Sequence, residues 1–290
     1  MKRTPRLLCI QPSAVSGHAG NSAAVLPMQR LGVNVWPLDT AQLPHCAGHD
    51  QWAGEVLSSV EVSALLQTLE ALGELGDCDA LLSGRLASAE QGRVVLAGVQ
   101  RLKSVNPKAL YLCDPGIGRV LAGGAVTSEL KDFLHEQAVT HADILCLDPF
   151  ELEDFSGRPA GTLADCLSMA RSLLARGPKA VLIKRLCYAE QAADAIEMLL
   201  VSQAASWHLQ RPLLAFPRQP AGVGELTAGL FLARVLLGDD WPQALEFTAA
   251  AVHEVLLETQ ACASCELQLV RAQDRIAHPR VRYEARRLDD

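Results

Sequence analysis

Short apolar runs recur along this chain at a spacing few architectures can use. Residues 7–10, 33–38, 80–83, 110–113, 144–147 and 180–183 are each four to six residues long, and several carry no polar side at all. A strand without a polar face has to be covered on both sides, as in a parallel sheet sandwiched between helices. The intervening stretches 21–31, 62–75, 89–103, 129–140 and 163–176 have helical apolar periodicity. The last follows Thr162 as a start cap and stops at Gly177-Pro178. Strand and helix alternate in βαβ order, which predicts an α/β layered fold.

After Lys184 the pattern changes. Residues 196–202 and 206–210 read as two antiparallel strands, and 226–237, 242–258 and 266–276 as helices. No repeat, low-complexity tract or linker divides the 290 residues, so a single domain over 1–290 is expected. Hydrophobic residues make up 49%, enough for a large core. With 26 Lys and Arg against 33 Asp and Glu, the net charge of −7 argues against a nucleic-acid surface. No apolar run approaches the ~18 residues of a membrane span. The basic start Met1-Lys2-Arg3 is followed by too short an apolar run for a signal peptide, and residues 7–10 read better as a first buried strand. Most of the nine cysteines are then expected to be buried hydrophobes in a reducing, cytoplasmic setting.

The stretch richest in chemistry is Arg218-Gln219-Pro220-Ala221-Gly222-Val223-Gly224-Glu225, which runs into the apolar helix 226–237. Two glycines at a helix entrance let backbone N–H groups converge without Cβ interference. Those first-turn donors have no partner within the helix, and the helix dipole adds positive charge. The turn therefore suits a phosphate, or the charge developing on a phosphoryl group in transfer. Glu225 beside it has the chemistry of a general base for an attacking hydroxyl. The same acid would also serve simply by sitting at the positive end of a helix.

Collinear blocks along nearly the whole chain extend this reading: Gly17-His18-Ala19-Gly20-Asn21-Ser22-Ala23-Ala24, Asn34-Val35-Trp36-Pro37-Leu38, Cys113-Asp114-Pro115, Glu197-Met198-Leu199-Leu200-Val201, Arg211-Pro212-Leu213, Arg218-Gln219-Pro220 and Ala272-Gln273-Asp274-Arg275-Ile276-Ala277. In these the chain resembles the PdxY-type pyridoxal kinases of the ribokinase-like superfamily. The resemblance implies a three-layer sandwich with a central, mostly parallel sheet flanked by helices. It also implies transfer of the γ-phosphoryl of ATP to the 5′-hydroxyl of pyridoxal in vitamin B6 salvage, with Mg²⁺, in a cytoplasmic homodimer. By position it assigns Asp114, Cys146, Glu151, Lys184 and Arg211-Pro212-Leu213-Leu214 to ATP. It assigns Asp148 and Glu151 to the metal, Gly222 and Gly224 to phosphoryl charge, and Glu225 to base and substrate contact.

The departures from the family cluster on the acceptor side. A substrate-touching serine is replaced by Pro12, which has neither hydroxyl nor N–H; Ser13 lies one step along. A Thr-Gln pair becomes Ala47-Gly48, and the tyrosine of S-G-Y-L-G-S becomes Arg85. The family's acid–lysine pair is missing between Asp114 and Gly123, where Arg119 appears instead. Asp148 stands where the N-x-x-E motif has asparagine, which adds negative charge. Glu225 replaces the aspartate of G-V-G-D and holds its carboxylate about 1.5 Å farther from the backbone. Two alternatives stand beside the pyridoxal kinase reading: a catalytically impaired nucleotide- or vitamer-binding homologue, and a kinase for another hydroxymethyl compound whose acceptor is anionic and met by Arg85 and Arg119. Cys262 and Cys265 form a lone C-x-x-C with no matching second pair and read as structural. His18 reads as loop architecture, and the arginines from 271 to 287 as a solvated tail broken by acids.

Overall fold

The computed structural model describes residues 3–45, 54–117, 126–188, 191 and 194–288. In chain order the elements are β1 (Arg6–Ser16), α1 (Asn21–Arg30), β2 (Asn34–His45), α2 (Ser59–Ala71), β3 (Ala80–Ser83), α3 (Ala89–Val105) and β4 (Leu110–Cys113). There follow α4 (Ser128–Phe133), which passes through a π-helical turn into α5 (Val139–His141), then β5 (Ile144–Leu147), α6 (Pro149–Ser156), α7 (Leu163–Leu174) and β6 (Ala180–Ile183). The chain ends with β7 (Ala195–Ser202), β8 (Ser206–Pro212), α8 (Val223–Leu237), α9 (Trp241–Ala261), α10 (Gln273–Ala277) and β9 (Arg286–Leu288). All nine strands join one sheet in the order β2-β1-β3-β4-β5-β6-β7-β8-β9. Pairing is parallel from β2 across to β6 and antiparallel from there to β9.

Strand alternation sorts the apolar runs into two layers. Leu8, Ile10, Leu81, Leu145, Leu147, Val181 and Ile183 pack under α2, α3, α4, α6 and α7. Their neighbours Leu7, Cys9, Ala80, Leu82, Ile144, Cys146, Ala180 and Leu182 pack under α1, α8 and α9. Both faces are covered, which is why these strands carry no polar side.

β3 to β6 coincide with the runs expected from sequence. β1 and β2 run on past Ile10 and Leu38 as a paired extension, with an irregularity where Gln11 faces Asp39 and Ser13 faces Gln42. Pro12 sits at that break and brings no N–H to the ladder. The helix expected over 266–276 is confined to Gln273–Ala277. Before it, the Gln268 amide donates to Thr259 and the Glu266 amide to Ser264, side-chain hydroxyls that replace helical bonding. The arginine-rich tail is not wholly solvated either, because Arg286–Leu288 pairs with β8.

Candidate active site

Parallel strands point their C-terminal ends at one edge of the sheet, where open α/β sheets bind ligands. At that edge lies a cavity of about 670 Å³. Each successive strand delivers a wall residue to it: Gly84 and Arg85 after β3, Asp114 after β4, Asp148 after β5 and Lys184 after β6. Lys184 Nζ meets Asp114 Oδ1 at 2.6 Å, with side chains 11% and 5% exposed.

Two helices begin at this rim in different ways. At α6, Asp148 accepts from the Glu151 amide at 2.8 Å while Glu151 Oε2 accepts from the Asp148 amide at 2.7 Å, a reciprocal capping box. Glu151 Oε1 accepts in addition from the Ile117 amide at 2.9 Å. Caps also close α2, α3, α4, α7 and α9 through Ser58, Ser88, Thr127, Thr162 and Asp240. α8 is different. It opens on Gly222, in the left-handed region at φ 82, with no side chain over its first-turn amides. A Cβ on Gly222 would stand 2.2 Å from the His18 carbonyl oxygen, so no other residue fits. Gly224 packs beside Lys184, whose Nζ would be 3.4 Å from an added Cβ. Glu225, in the first turn, accepts from the Gly20 amide through Oε1 at 3.3 Å and lines the same cavity.

Acids and bases are crowded at this edge. Burial pushes Glu151 up to about 8; Lys184 pulls against it, while Asp148 and Asp114 push it further. Burial also raises Asp114, opposed by Lys184 and reinforced by Glu225 and Asp148. Lys184 loses solvation on burial, yet Asp114 and Glu151 hold its ammonium well above the ordinary value. Arg85 is pulled down by burial and held up by Glu225. Lys184 is shared between Asp114 and Glu151, and Arg85 faces Glu225; a hard dication would relieve the repulsion that Asp148 adds to Asp114 and Glu151. The donors are all oxygens, as Mg²⁺ prefers, and Asp148 and Asp114 present them to the cavity. Glu151 spends both oxygens on backbone amides and supports Asp148 from behind. Among the described residues no three His, Cys, Asp or Glu form a ready-made cage. That agrees with an ion that keeps most of its waters and uses one or two carboxylates.

Most of the sequence-assigned residues meet on this wall: Asp114, Asp148, Glu151, Lys184, Arg211, Leu213, Leu214, Gly224, Glu225 and Arg85. Three do not. Cys146 is fully buried in β5 beneath Lys184, packed in the apolar layer under α8 with its thiol pushed far up by burial. Pro212 is exposed on the outer side of the β8 end. Pro12 is buried in β1, its carbonyl oxygen 1.8 Å from where a Gly20 Cβ would stand. Ser13 is not on this wall either, and its Oγ hydrogen-bonds Ser22 Oγ at 2.9 Å. Ala47, Gly48 and Arg119 lie outside the described residues. Sequence reading missed Arg185, Ile196, Met198, Phe150, Thr227 and Val252 on the wall. Alternation along β7 would have found Ile196 and Met198 once its pairing with β8 was known.

This architecture defines a class. Residues 16–266 match the family described as Phosphomethylpyrimidine kinase. The pyridoxal kinase from Leishmania donovani, solved in complex with ADP and pyridoxine, superposes with a TM-score of 0.89 over 98% of this chain and 99% of its own, at 23% identity. That likeness carries the ribokinase-like fold. Sequence carries the rest. Pyridoxal kinase PdxY of Pseudomonas putida (strain GB-1) is 65% identical over 288 residues, 99% of each chain. The protein of that name from Pseudomonas fluorescens (strain Pf0-1) is 65% identical over 285 residues, 98% of each. The chain belongs to the PdxY pyridoxal kinase family and is a kinase.

Proposed function

We propose that this chain, acting as one catalytic unit, transfers the γ-phosphoryl of ATP to the 5′-hydroxyl of pyridoxal, with Mg²⁺, as a cytoplasmic homodimer. The observation that carries this reading is the uncapped start of α8, with Glu225 in its first turn, opening on the cavity that holds the Lys184–Asp114 pair. The attacking hydroxyl forms a P–O bond to the γ-phosphorus and gives its proton to Glu225. The bond to the β-phosphate oxygen breaks, and ADP leaves. The transition state is loose and rich in charge, so positioning and electrostatics do most of the work. The first-turn amides of α8 receive the charge on the migrating group, and Lys184 holds the polyphosphate as a compact cation. Asp148 and Asp114, with Glu151 behind, would hold Mg²⁺, which would supply charge neutralisation for the polyphosphate.

Glu225 differs from the family aspartate in reach, not in type. Its contact with Gly20 at 3.3 Å draws the longer carboxylate back toward the start of α1. That contact supports the reading that a glutamate serves here in place of the family aspartate. Arg85 supports a second reading, in which the acceptor is an anionic alcohol, because its guanidinium lines the cavity opposite Glu225.

Formation of phosphorylated product and ADP, with pyridoxal and with anionic hydroxymethyl compounds, decides between the two. Wild type is expected to prefer pyridoxal. Glu225→Gln is expected to lose about 10²- to 10⁴-fold in rate, the range of general-base removal, and Glu225→Asp to stay active. A Glu225→Gln variant as fast as wild type overturns the base assignment. Preference for the anionic alcohols moves the reading to Arg85.

A further inference from the structure

Three stretches of chain line the cavity away from the α8 turn: Lys184, Arg185 and Cys187 after β6; Ile196 and Met198 in β7; and Arg211, Leu213 and Leu214 at the end of β8. Under the proposed function they form the nucleotide wall. On the wall itself Ile196 of β7 pairs with Arg211 of β8, and the Leu213 amide donates to the Asp194 carbonyl at 2.8 Å. A side-chain tie that also reaches the segment after β6 lies behind them.

Glu197 alternates with Ile196 and Met198 along β7, so it faces the opposite side of the sheet, and it is 1% exposed. Its Oε2 accepts from the Tyr188 hydroxyl at 2.6 Å and contacts His208 Nε2 at 2.8 Å; its Oε1 accepts from Gln210 Nε2 at 3.1 Å. Its backbone carbonyl accepts from the Leu186 amide at 2.7 Å. Leu186, 1% exposed, is buried in the core on that same side. The segment after β6 is therefore stitched at alternate residues, with Leu186 and Tyr188 turned to Glu197 and Arg185 and Cys187 turned to the cavity. Burial alone would raise Glu197, but the bonds from Tyr188, His208 and Gln210 outweigh it and favour the carboxylate. Neither Glu197 nor its three side-chain partners is among the described wall residues.

We infer that Glu197 is a positioning residue for the nucleotide: its carboxylate fastens the segment after β6, β7 and β8 to one another from behind, and so sets the spacing of the wall that receives ATP. The ladder joins β7 to β8 through the wall residues Ile196 and Arg211, and the carboxylate adds the side-chain tie from both strands to Tyr188. A buried, charge-assisted network of this kind holds geometry more tightly than apolar contacts, which tolerate sliding.

The inference rests on the nucleotide reading of the cavity, so the test separates the two. ADP is titrated calorimetrically into the full chain as wild type, Tyr188→Phe, Glu197→Leu, the double variant and Asp143→Asn, with melting temperatures recorded alongside. Asp143 is a buried, ion-paired carboxylate far along the sheet from the cavity and reports general destabilisation. Tyr188→Phe keeps its ring in place and is expected to weaken ADP binding about three- to tenfold, part of the worth of one charge-assisted hydrogen bond. Glu197→Leu is expected to weaken it at least as much, and the double variant no more than Glu197→Leu alone. Asp143→Asn is expected to melt earlier yet bind ADP as wild type does. In turnover, the Tyr188→Phe effect is expected in KM for ATP, with kcat and the acceptor KM held. Affinity within twofold of wild type in both Tyr188→Phe and Glu197→Leu overturns the inference, as does an equal loss in Asp143→Asn. A wild type that binds no ADP overturns the nucleotide reading beneath it.

Discussion

Buried acids occupy both edges of the same sheet, and they live in opposite circumstances. At the N-terminal edge, Asp143 precedes β5 and accepts from the Tyr111 amide at 2.8 Å, with Lys103 at 2.6 Å and Lys179 at 2.9 Å. Burial works to raise it, but these partners hold its carboxyl below the ordinary value. At the C-terminal edge, Asp114, Asp148, Glu151 and Glu225 crowd around Lys184, and Asp114 and Glu151 are pushed up. One edge satisfies its charge internally and so contributes stability. The other crowds its acids into a cavity with their values pushed up, the pattern of a candidate functional site.

The sharpest way to break this contrast is at the α8 turn. Gly222→Ala places a methyl against the His18 carbonyl in a left-handed backbone conformation. A displacement near 1 Å costs about a hundredfold in rate, so kcat for ATP-dependent phosphorylation is expected to fall at least that far; full activity would refute the geometry. Next comes Lys184→Met, which is expected to raise KM for ATP about 10- to 100-fold, as truncating a buried charge contact does. Asp143→Asn should do the reverse: kcat/KM unchanged, and about 2 kcal/mol less stability by denaturant titration, the scale of hydrogen bonds to a charged group. The smallest effect is in acid. Asp143's folded value lies below its unfolded value, so its contribution is complete above about pH 3.9. It is lost as pH falls through the lower folded value. Asp143→Asn should flatten that part of the acid unfolding curve, and an unchanged curve would remove Asp143 from the stability account.

Regular burial was legible in the sequence and local polar chemistry was not. Residues 80–83, 110–113, 144–147 and 180–183 are apolar on both sides, and each is a strand over its full length. The β1–β2 extension escaped notice because Gln11, Pro12 and Ser13 break the apolar run. α6 escaped because Asp148 and Glu151 read as metal-site acids, although the same pair, three residues apart, closes a helix start. In the site, the Gly222–Glu225 turn was readable because glycine placement has a steric cause at that point. Cys146 was misplaced because a family position does not say whether a side chain reaches the surface of a cavity or stops beneath it. The Glu197 network joins residues up to 13 apart across an antiparallel pairing, and no linear spacing announces it.

The close seat of the His18 carbonyl over Gly222 bears on how such an enzyme can diversify. The loop leading into α1 and the Gly222 turn abut backbone to backbone, with no room for a methyl between them. A lineage that takes up a new alcohol cannot make space by letting this loop wander, since any inward shift would jam the start of α8. Novelty has to come through exchanged side chains on a fixed frame, and a glutamate in place of an aspartate at position 225 is the kind of change that frame permits.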